Sequence, residues 1–398
     1  MRISTSQIYS QTMNSVSKSL NDYMDVNSWV STQKEINAPS DDPAGMANVV
    51  NLRGYDAALE QYYNNAEMAG EYLGSADGLL IKASTTMSSV LEQIEQASTG
   101  TYTDAQSQSI SVEIQGYLDS LLAIANSKMG SDYLFSGEAT DTSPYDYIPG
   151  VTVTGDSPAK SDFGEISGEL DDPVIVQFTS DGTIGTDTVS YTYSLDGGRT
   201  WLTGSLTTTD LTLELGDVSV EMNTGTAVTA WDENDDTGSS FVVRNSAVYN
   251  GSDAAMSVNI SEGTEIDMTT VGSDIFGGVD GGTGTAYSDP NLFESISDAV
   301  AYAWIGNEDA VADTLVAVNE AYKEMTNMMA DVGAREEKTE FISTSLSYTR
   351  ERVSDAISNE EDADSAALTI ELSKAEYIYQ AVLSSTSDVI GMSILDYL

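Results

Sequence analysis

The sequence predicts an α+β multidomain protein in which both chain ends form a long antiparallel helical bundle or coiled coil around an inserted β-rich domain. Three observations predict it. Residues 1 to about 137 and about 290 to 398 are rich in Ala, Leu, Gln and Glu with helical spacing, whereas the stretch between them is rich in Gly, Thr, Asp and Val. One apolar stripe near the front steps by alternating three and four residues without a miss. In the middle, short alternating runs are divided by glycine-containing turns.

That stripe is Leu52, Tyr55, Leu59, Tyr62, Ala66, Ala69, Leu73, Ala76, Leu80, Ala83, Met87, Val90, Ile94 and Ala97. It predicts a heptad helix from about Pro43 to about Ser98, roughly 80 Å long at about 1.5 Å per residue. A helix of that length with one apolar stripe needs partners along it. Ile110, Ile114, Tyr117, Leu121 and Ile124 repeat the step, as do Val311, Leu315, Val318, Tyr322, Met325, Met329 and Val332. Gly100 and Thr101, with Asp104 behind them, predict a tight antiparallel connection between the first two helices.

Weaker stripes mark the termini: Tyr9, Met13, Val16, Leu20, Tyr23 and Val30 in front, and Leu368, Leu372, Ala375, Tyr379, Val382 and Val389 behind. They are narrow and interrupted at Asn27 and Thr386. The expectation is two amphipathic helices with no partner inside the chain, mobile alone and buried between neighbouring subunits; an intramolecular bundle is the alternative.

Between residues 145 and 289 the expected strands are 174–178, 188–195, 200–202, 211–215, 218–222 and 241–243. Asp196, Gly197 and Gly198 mark one hairpin, and Gly216 with Asp217 a second, because glycine supplies the positive φ of a tight turn. The chain therefore divides into residues 1–42 plus 358–398 as terminal assembly helices, 43–144 plus 290–357 as a long-helix bundle, and 145–289 as a β-rich excursion with its own core.

Composition narrows the chemistry. Among 398 residues there is no cysteine and no histidine, which removes disulfides, the usual zinc ligands and histidine-dependent nucleophilic catalysis. The 64 acidic residues outnumber the 15 basic ones for a formal net charge of -49, which repels nucleic acid and anionic membranes. No run reaches the length of a membrane span, and the first 30 residues lack a signal-peptide core, so export is expected by another route. Asp232, Asn234 and Asp236 carry the alternate oxygens of a calcium loop, but Thr237 stands where glycine is needed and Val243 where the bidentate Glu belongs. Gly277, Gly278, Gly281, Gly282 and Gly284 lack the Lys-Ser/Thr of a phosphate cradle and read as a flexible linker. Glu336 with Glu337, and Asp362 with Asp364, read as helix-surface and capping charges. No enzyme activity, catalytic residue, cofactor or metal site is expected.

One block is more specific: Glu35, Ile36, Asn37, Ala38, Pro39, Ser40, Asp41, Asp42, Pro43, Ala44, Gly45 and Met46. Physically it is a break followed by a helix start, with Ser40, Asp41 or Asp42 as cap and Pro43 at the first helical position. Asn37, Pro39, Ser40, Asp41, Asp42, Pro43, Ala44 and Gly45 closely resemble the signature of the flagellin superfamily. Glu361 to Asp364 and the ending Ser393 to Leu398 are similar to the family's carboxyl-terminal segment. Tyr133 to Gly137, followed by Pro144 and Tyr145, and the Leu-Asp-Tyr-Leu ending favour a hook-associated member over a filament one.

The resemblance implies a structural, secreted subunit of the extracellular bacterial flagellum, exported by the flagellar type III apparatus. Its place would be the hook-filament junction, as a homo-oligomeric ring or helical layer between the first hook-associated protein and flagellin, with a flagellar export chaperone as a further partner. A filament-forming flagellin, or a secreted adhesive module acting through the β insertion, are the alternatives.

Overall fold

The computed structural model describes residues 5–100, 102–232, 237–280, 286, 287 and 290–395, with side chains from 7 to 388 among these. Its helices are α1 (Thr5–Thr32), α2 (Pro43–Ala97), α3 (Asp104–Ala125), α4 (Gly272–Phe276), α5 (Leu292–Ile305), α6 (Glu308–Glu361) and α7 (Ser365–Leu395). They form two compact units, Met1–Asn64 with Ile342–Leu398, and Asn65–Phe341. The long helices α2 and α6 contribute residues to both.

In the larger unit the heptad seam of α2 is covered as its spacing requires. Ala66, Ala69, Leu73, Ala76, Leu80, Ala83, Met87, Val90, Ile94 and Ala97 are all buried. Small residues let α6 come close: a Cβ on Gly70 would stand 3.4 Å from Thr339 Oγ1. Ser84 Oγ and Tyr322 OH lie 2.8 Å apart, and Val311, Val318, Met325 and Val332 are the buried members of the α6 stripe. On α3 the seam differs from the expected one, since Leu118 and Ala125 are buried while Tyr117 and Ile124 are half-buried. Both choices obey the three/four step from Ile114. Leaving the tyrosine at the margin keeps its hydroxyl within 3.4 Å of Glu113 Oε1.

Helix α5 has no clean stripe because it is apolar nearly all round. Ile296, Ala299, Val300 and Ala303 join the core shared with α2 and α3, while Ala301 and Trp304 pack with Ile175 and Val242 of the β region. The alternation of the strands explains this double contact. The principal strands are β1 (Tyr145–Val153), β2 (Phe163–Gly168), β3 (Val174–Phe178), β4 (Val189–Ser194), β5 (Leu202–Leu206), β6 (Thr212–Leu215), β7 (Val218–Met222), β8 (Ser240–Tyr249), β9 (Ser257–Ser261), β10 (Thr264–Asp267) and β11 (Val279–Asp280).

One sheet has the order β11-β8-β3-β4-β5, with β1 also paired to β8; a second has the order β2-β7-β6. Val174, Val176 and Phe178 of β3 and Phe241 and Val243 of β8 point into a core shared with Leu213, Leu215, Val218, Val220 and Met222. Ile175 and Val242 point the other way, onto α5. Thus the β segment does have its own core, but its second face closes on a helix from outside the segment. Both expected hairpins form, with Gly197, Gly198 and Gly216 at φ 72°, 88° and 80°. Strand β1 is absent from the expected strands; it carries Pro149 and pairs along one edge only, the setting in which sheets admit proline. Gly277 and Gly278 are not loose either, since Asn291 accepts from Gly278 N at 3.0 Å and donates to Gly278 O at 2.7 Å. Residues 233–236 and 281–285, which include Asn234, Asp236, Gly281, Gly282 and Gly284 of the two glycine and acidic motifs, lie outside the described residues.

The α5–sheet contact is fastened by Arg244, whose side chain is 1% exposed. Its Nη1 and Nη2 donate to Glu294 Oε1 and Oε2 at 3.1 and 3.0 Å, Nη2 also to Asp298 Oδ1 at 2.8 Å, Nε to Thr152 Oγ1 at 3.0 Å, and Nη1 to Asn245 O at 3.3 Å. Every guanidinium donor direction is used. Burial alone would raise Glu294, but Arg244 against it outweighs burial and holds the carboxyl at about 2. Its contribution is therefore complete above the unfolded glutamate value of 4.5 and disappears as pH falls through about 2. Glu294→Gln should lower stability by about 3–5 kcal/mol, because it leaves Arg244 buried with half its charge partner gone. Urea unfolding of the two proteins at pH 7 and pH 3 checks it: the gap should be large at pH 7 and smaller at pH 3. An equal gap at both would exclude this pair as its origin.

Candidate assembly interface

The smaller unit is built around a junction between two connections. Helix α1 ends at Thr32; Gln33 after it has φ 60°, and Gln33 O accepts from Ala363 N at 3.1 Å. Glu35 N donates to Glu361 O at 2.8 Å, and Lys34 pairs antiparallel with Asp362. The end of α1 is thereby pinned beside the start of α7, so the two helices run antiparallel along each other. Glu361 completes the clasp by accepting from Lys34 Nζ at 2.8 Å and from Arg53 Nη2 at 2.7 and 2.6 Å.

The family-like block organises this corner. Asp41 Oδ2 accepts from Asn37 N at 3.0 Å and Ala38 N at 2.8 Å, which folds the chain before Pro39. These backbone amides, Ala38 first, hold the Asp41 carboxyl below its usual range. Asp42 is the cap of α2, accepting from Ala44 N at 2.9 Å, with Pro43 in the first helical position. Gly45 is packed too closely for a side chain: a Cβ there would stand 2.6 Å from Ile36 Cδ1. Asp364 caps α7 in the same way, accepting from Ala366 N at 2.8 Å, and Asp362 accepts from Ser358 Oγ.

The terminal stripes find each other. Tyr23 stacks on Tyr379 with ring centroids 6.1 Å apart, Leu368 is buried, and Val16, Leu20, Tyr23, Val30, Leu372, Ala375, Tyr379 and Val382 are half-buried. The expectation that these helices lack a partner inside the chain is therefore corrected: each narrow seam is the partner of the other. The side chain of Val389 lies outside the described residues. Tyr9 and Met13 remain 56% and 44% exposed.

What stays open is a second face that the stripe analysis passed over. On α7, Ile370 and Tyr377 are 70% and 72% exposed and seven residues apart, so they lie on one side of the helix. Met24 on α1, Tyr55 on α2 and Tyr348 on α6 are exposed as well. Tyr55 belongs to the α2 heptad by spacing, yet it is 52% exposed. The core of this unit is thin: its buried apolar side chains among the described residues are Ile36, Val49, Leu59, Leu346, Val353 and Leu368. Thin packing beside exposed aromatic and aliphatic residues leaves apolar surface open on this unit. Among the described residues no group of three or more carboxylates is placed to hold a metal ion, and no helix is long and apolar enough to cross a membrane.

Helical termini that fold back on one another around a capped Asn-Ala-Pro-Ser-Asp-Asp-Pro corner define a flagellin-type subunit. The chain matches the bacterial flagellin N-terminal helical region over residues 3–140 and the bacterial flagellin C-terminal helical region over residues 315–398, and it belongs to the flagellin family. Two curated relatives are the flagellar hook-associated protein 3 of Salmonella typhimurium, 32% identical over 151 residues, and that of Escherichia coli, 33% identical over 156 residues. These stretches cover 38% and 39% of this chain and 48% and 49% of the relatives, so the chain spans about half the length of the curated relatives it matches. Similar solved structures include a putative flagellar hook-associated protein from Vibrio parahaemolyticus, 15% identical with a TM-score of 0.49 over 81% of this chain and 100% of that one. Bacillus cereus FlgL is 12% identical with a TM-score of 0.42, over 77% and 99%.

The clasp gives a prediction for this corner. Burial raises Glu361, and the Lys34 and Arg53 contacts overcome it and leave the carboxyl below the usual glutamate range. The contribution is full above the unfolded value of 4.5 and is lost as pH falls. Because Lys34 and Arg53 are 37% and 48% exposed, the loss on Glu361→Gln is discounted to about 1 kcal/mol. Limited proteolysis should cut the 33–42 connection of the variant faster than that of the parent at pH 7.

Proposed function

We propose that this chain is a non-enzymatic structural subunit of the bacterial flagellum, placed at the junction between hook and filament. The observation that carries the reading is the flagellin-type pair α1–α7, folded on itself through one seam while Ile370 and Tyr377 stand exposed on the other side. Association through that outer face adds apolar burial to a unit that has little of its own. A junction site rather than a filament is supported by the curated relatives, both named as hook-associated proteins.

In this reading the chain forms a homo-oligomeric ring or helical layer, with the first hook-associated protein on one side and flagellin on the other, after delivery by an export chaperone. Residues 1–42 with 358–398 carry assembly, 43–144 with 290–357 form the long-helix bundle, and 145–289 is the β-rich insertion. Of the stripe residues assigned to assembly, Tyr9 and Met13 remain open at the front of the stripe for a neighbour, and Val16, Leu20, Tyr23, Val30, Leu368, Leu372, Ala375, Tyr379 and Val382 hold the α1–α7 pair together until neighbours arrive.

Two measurements test this. Electron microscopy of the native organelle with antibody to residues 145–289 should label one band between hook and filament; label along the filament would favour a filament-forming flagellin instead. Ile370→Asp with Tyr377→Asp should abolish incorporation while leaving the helical circular dichroism of the monomer unchanged. Leu372→Asp, which puts a charge in the α1–α7 seam, should instead reduce helix content by unpairing the two termini, at a cost of several kcal/mol on the order expected for a buried charge. Full incorporation of the Ile370/Tyr377 variant would remove the outer face from assembly.

A further inference from the structure

Three of the four tryptophans of this sequence, separated by up to a hundred residues of chain, line a single cleft of about 650 Å³ in the larger unit. Trp201 closes the loop of the β4–β5 hairpin directly before β5, Trp231 precedes β8, and Trp304 lies in the last turn of α5. Each is fixed by its surroundings. The hairpin loop is held on itself by Asp196, which accepts from Thr200 N at 2.8 Å and Thr200 Oγ1 at 2.7 Å. It is also tied to α3, since Gln108 Nε2 donates to Gly197 O at 2.7 Å and Arg199 Nη2 donates to Gln108 Oε1 at 3.0 Å. Trp231 N donates to Phe178 O at 2.7 Å. After Trp304, Gly306 ends α5 at φ 72°, and Asn307 starts α6 by accepting from Ala310 N at 3.1 Å.

The polar lining is of one kind. Asp104 comes from the first turn of α3, and Glu308 and Asp309 from the first turn of α6. Gln177 and Asn307 add side-chain amides, and none of the described lining residues is basic. Trp201 is 39% exposed and Trp231 half-buried, so indole surface is left open to water inside a concavity. Trp304 is 6% exposed, and its indole Nε1–H has no acceptor. A buried N–H without a partner is costly.

We propose that this cleft binds a neutral oligosaccharide. The C–H faces of a pyranose ring lie against the electron-rich face of an indole, and sugar hydroxyls both donate to carboxylates and accept from amide and indole N–H groups. That combination uses every kind of group in the lining. The three carboxylates exclude sialylated or sulfated glycans and disfavour a second copy of this chain, whose net charge is -49. A cationic peptide would also meet the carboxylates and stack on indole, so oligolysine is the competing ligand in the test below. The volume lies in the range of small-ligand sites. The proposal is independent of the junction assignment, since every residue belongs to the larger unit and none to the terminal helices.

The test is titration of the full chain with maltohexaose, cellohexaose, chitohexaose and mannohexaose, followed by tryptophan fluorescence and calorimetry. Saturable binding of at least one is expected, weakened by about tenfold or more in Trp201→Ala and in Trp231→Ala, with unchanged circular dichroism. Asp309→Asn serves as a second variant that removes a surface charge without touching packing, and it should weaken the same sugar. Sialyllactose should not bind. The proposal is overturned by the absence of saturation with all four sugars up to about 10 mM, by binding that ignores all three substitutions, or by oligolysine binding more tightly than every sugar.

Discussion

Everything in the larger unit depends on one constraint, which is that a long helix with a single apolar stripe has no stability of its own and must be covered along its length. The stripe of α2 is made of small and large residues in turn. Ala66, Ala69 and Ala76, with Gly70 and Gly74 beside them, allow α6 to approach, and Leu73, Leu80 and Met87 fill the space between. Once α6 and α3 lie along α2, their own remaining surface must be covered, and α5 does so because it is apolar on more than one side. That surplus apolar surface of α5 is what receives the sheet. The order of dependence is thus seam, then bundle, then β region.

Position along this chain of dependence explains why the polar cluster at Arg244 is tolerated. Residues 242, 244, 246 and 248 of β8 share the face turned to α5, so a strand that alternates correctly still brings an arginine and a serine into a buried layer. Glu294 and Asp298 sit one helical turn apart on α5 and meet it from the other side. A buried ion pair of this kind adds less to stability than an apolar contact of the same size. It does fix one registration of helix on sheet, because sliding by one residue would strand the guanidinium.

Legibility in the sequence followed the same logic. The α2 helix was readable to within a residue because an unbroken three/four step has one interpretation, whereas the α3 seam allowed Tyr117 or Leu118 and only packing chose between them. Strand β8 reads as 241–243 because Arg244, Asn245 and Ser246 look like an ending; burial of polar residues on a helix-facing side is not a one-dimensional signal. The terminal stripes were found, but spacing gives the direction a side chain faces and not what lies there, so the pairing of α1 with α7 was invisible. Ile370 and Tyr377 do carry a signal, their separation of seven, which the stronger stripe through Leu368 and Leu372 masked. The tryptophan cleft had none, since its parts come from a hairpin, a loop and a helix end far apart in sequence.

Charge sets the conditions under which such a subunit associates. Of only 15 basic residues, Lys34, Arg53, Lys160, Arg244, Arg335 and Arg350 are engaged in ion pairs within the chain. Fifteen basic residues are few beside 64 acidic ones, so two copies approaching one another repel at long range. Apolar contact at Ile370 and Tyr377 acts only at short range, so the balance between the two is governed by the screening length, about 10 Å at 0.1 M salt and about 3 Å at 1 M. On the proposed assembly through this face, low ionic strength keeps dilute subunits apart and salt lets the apolar face close.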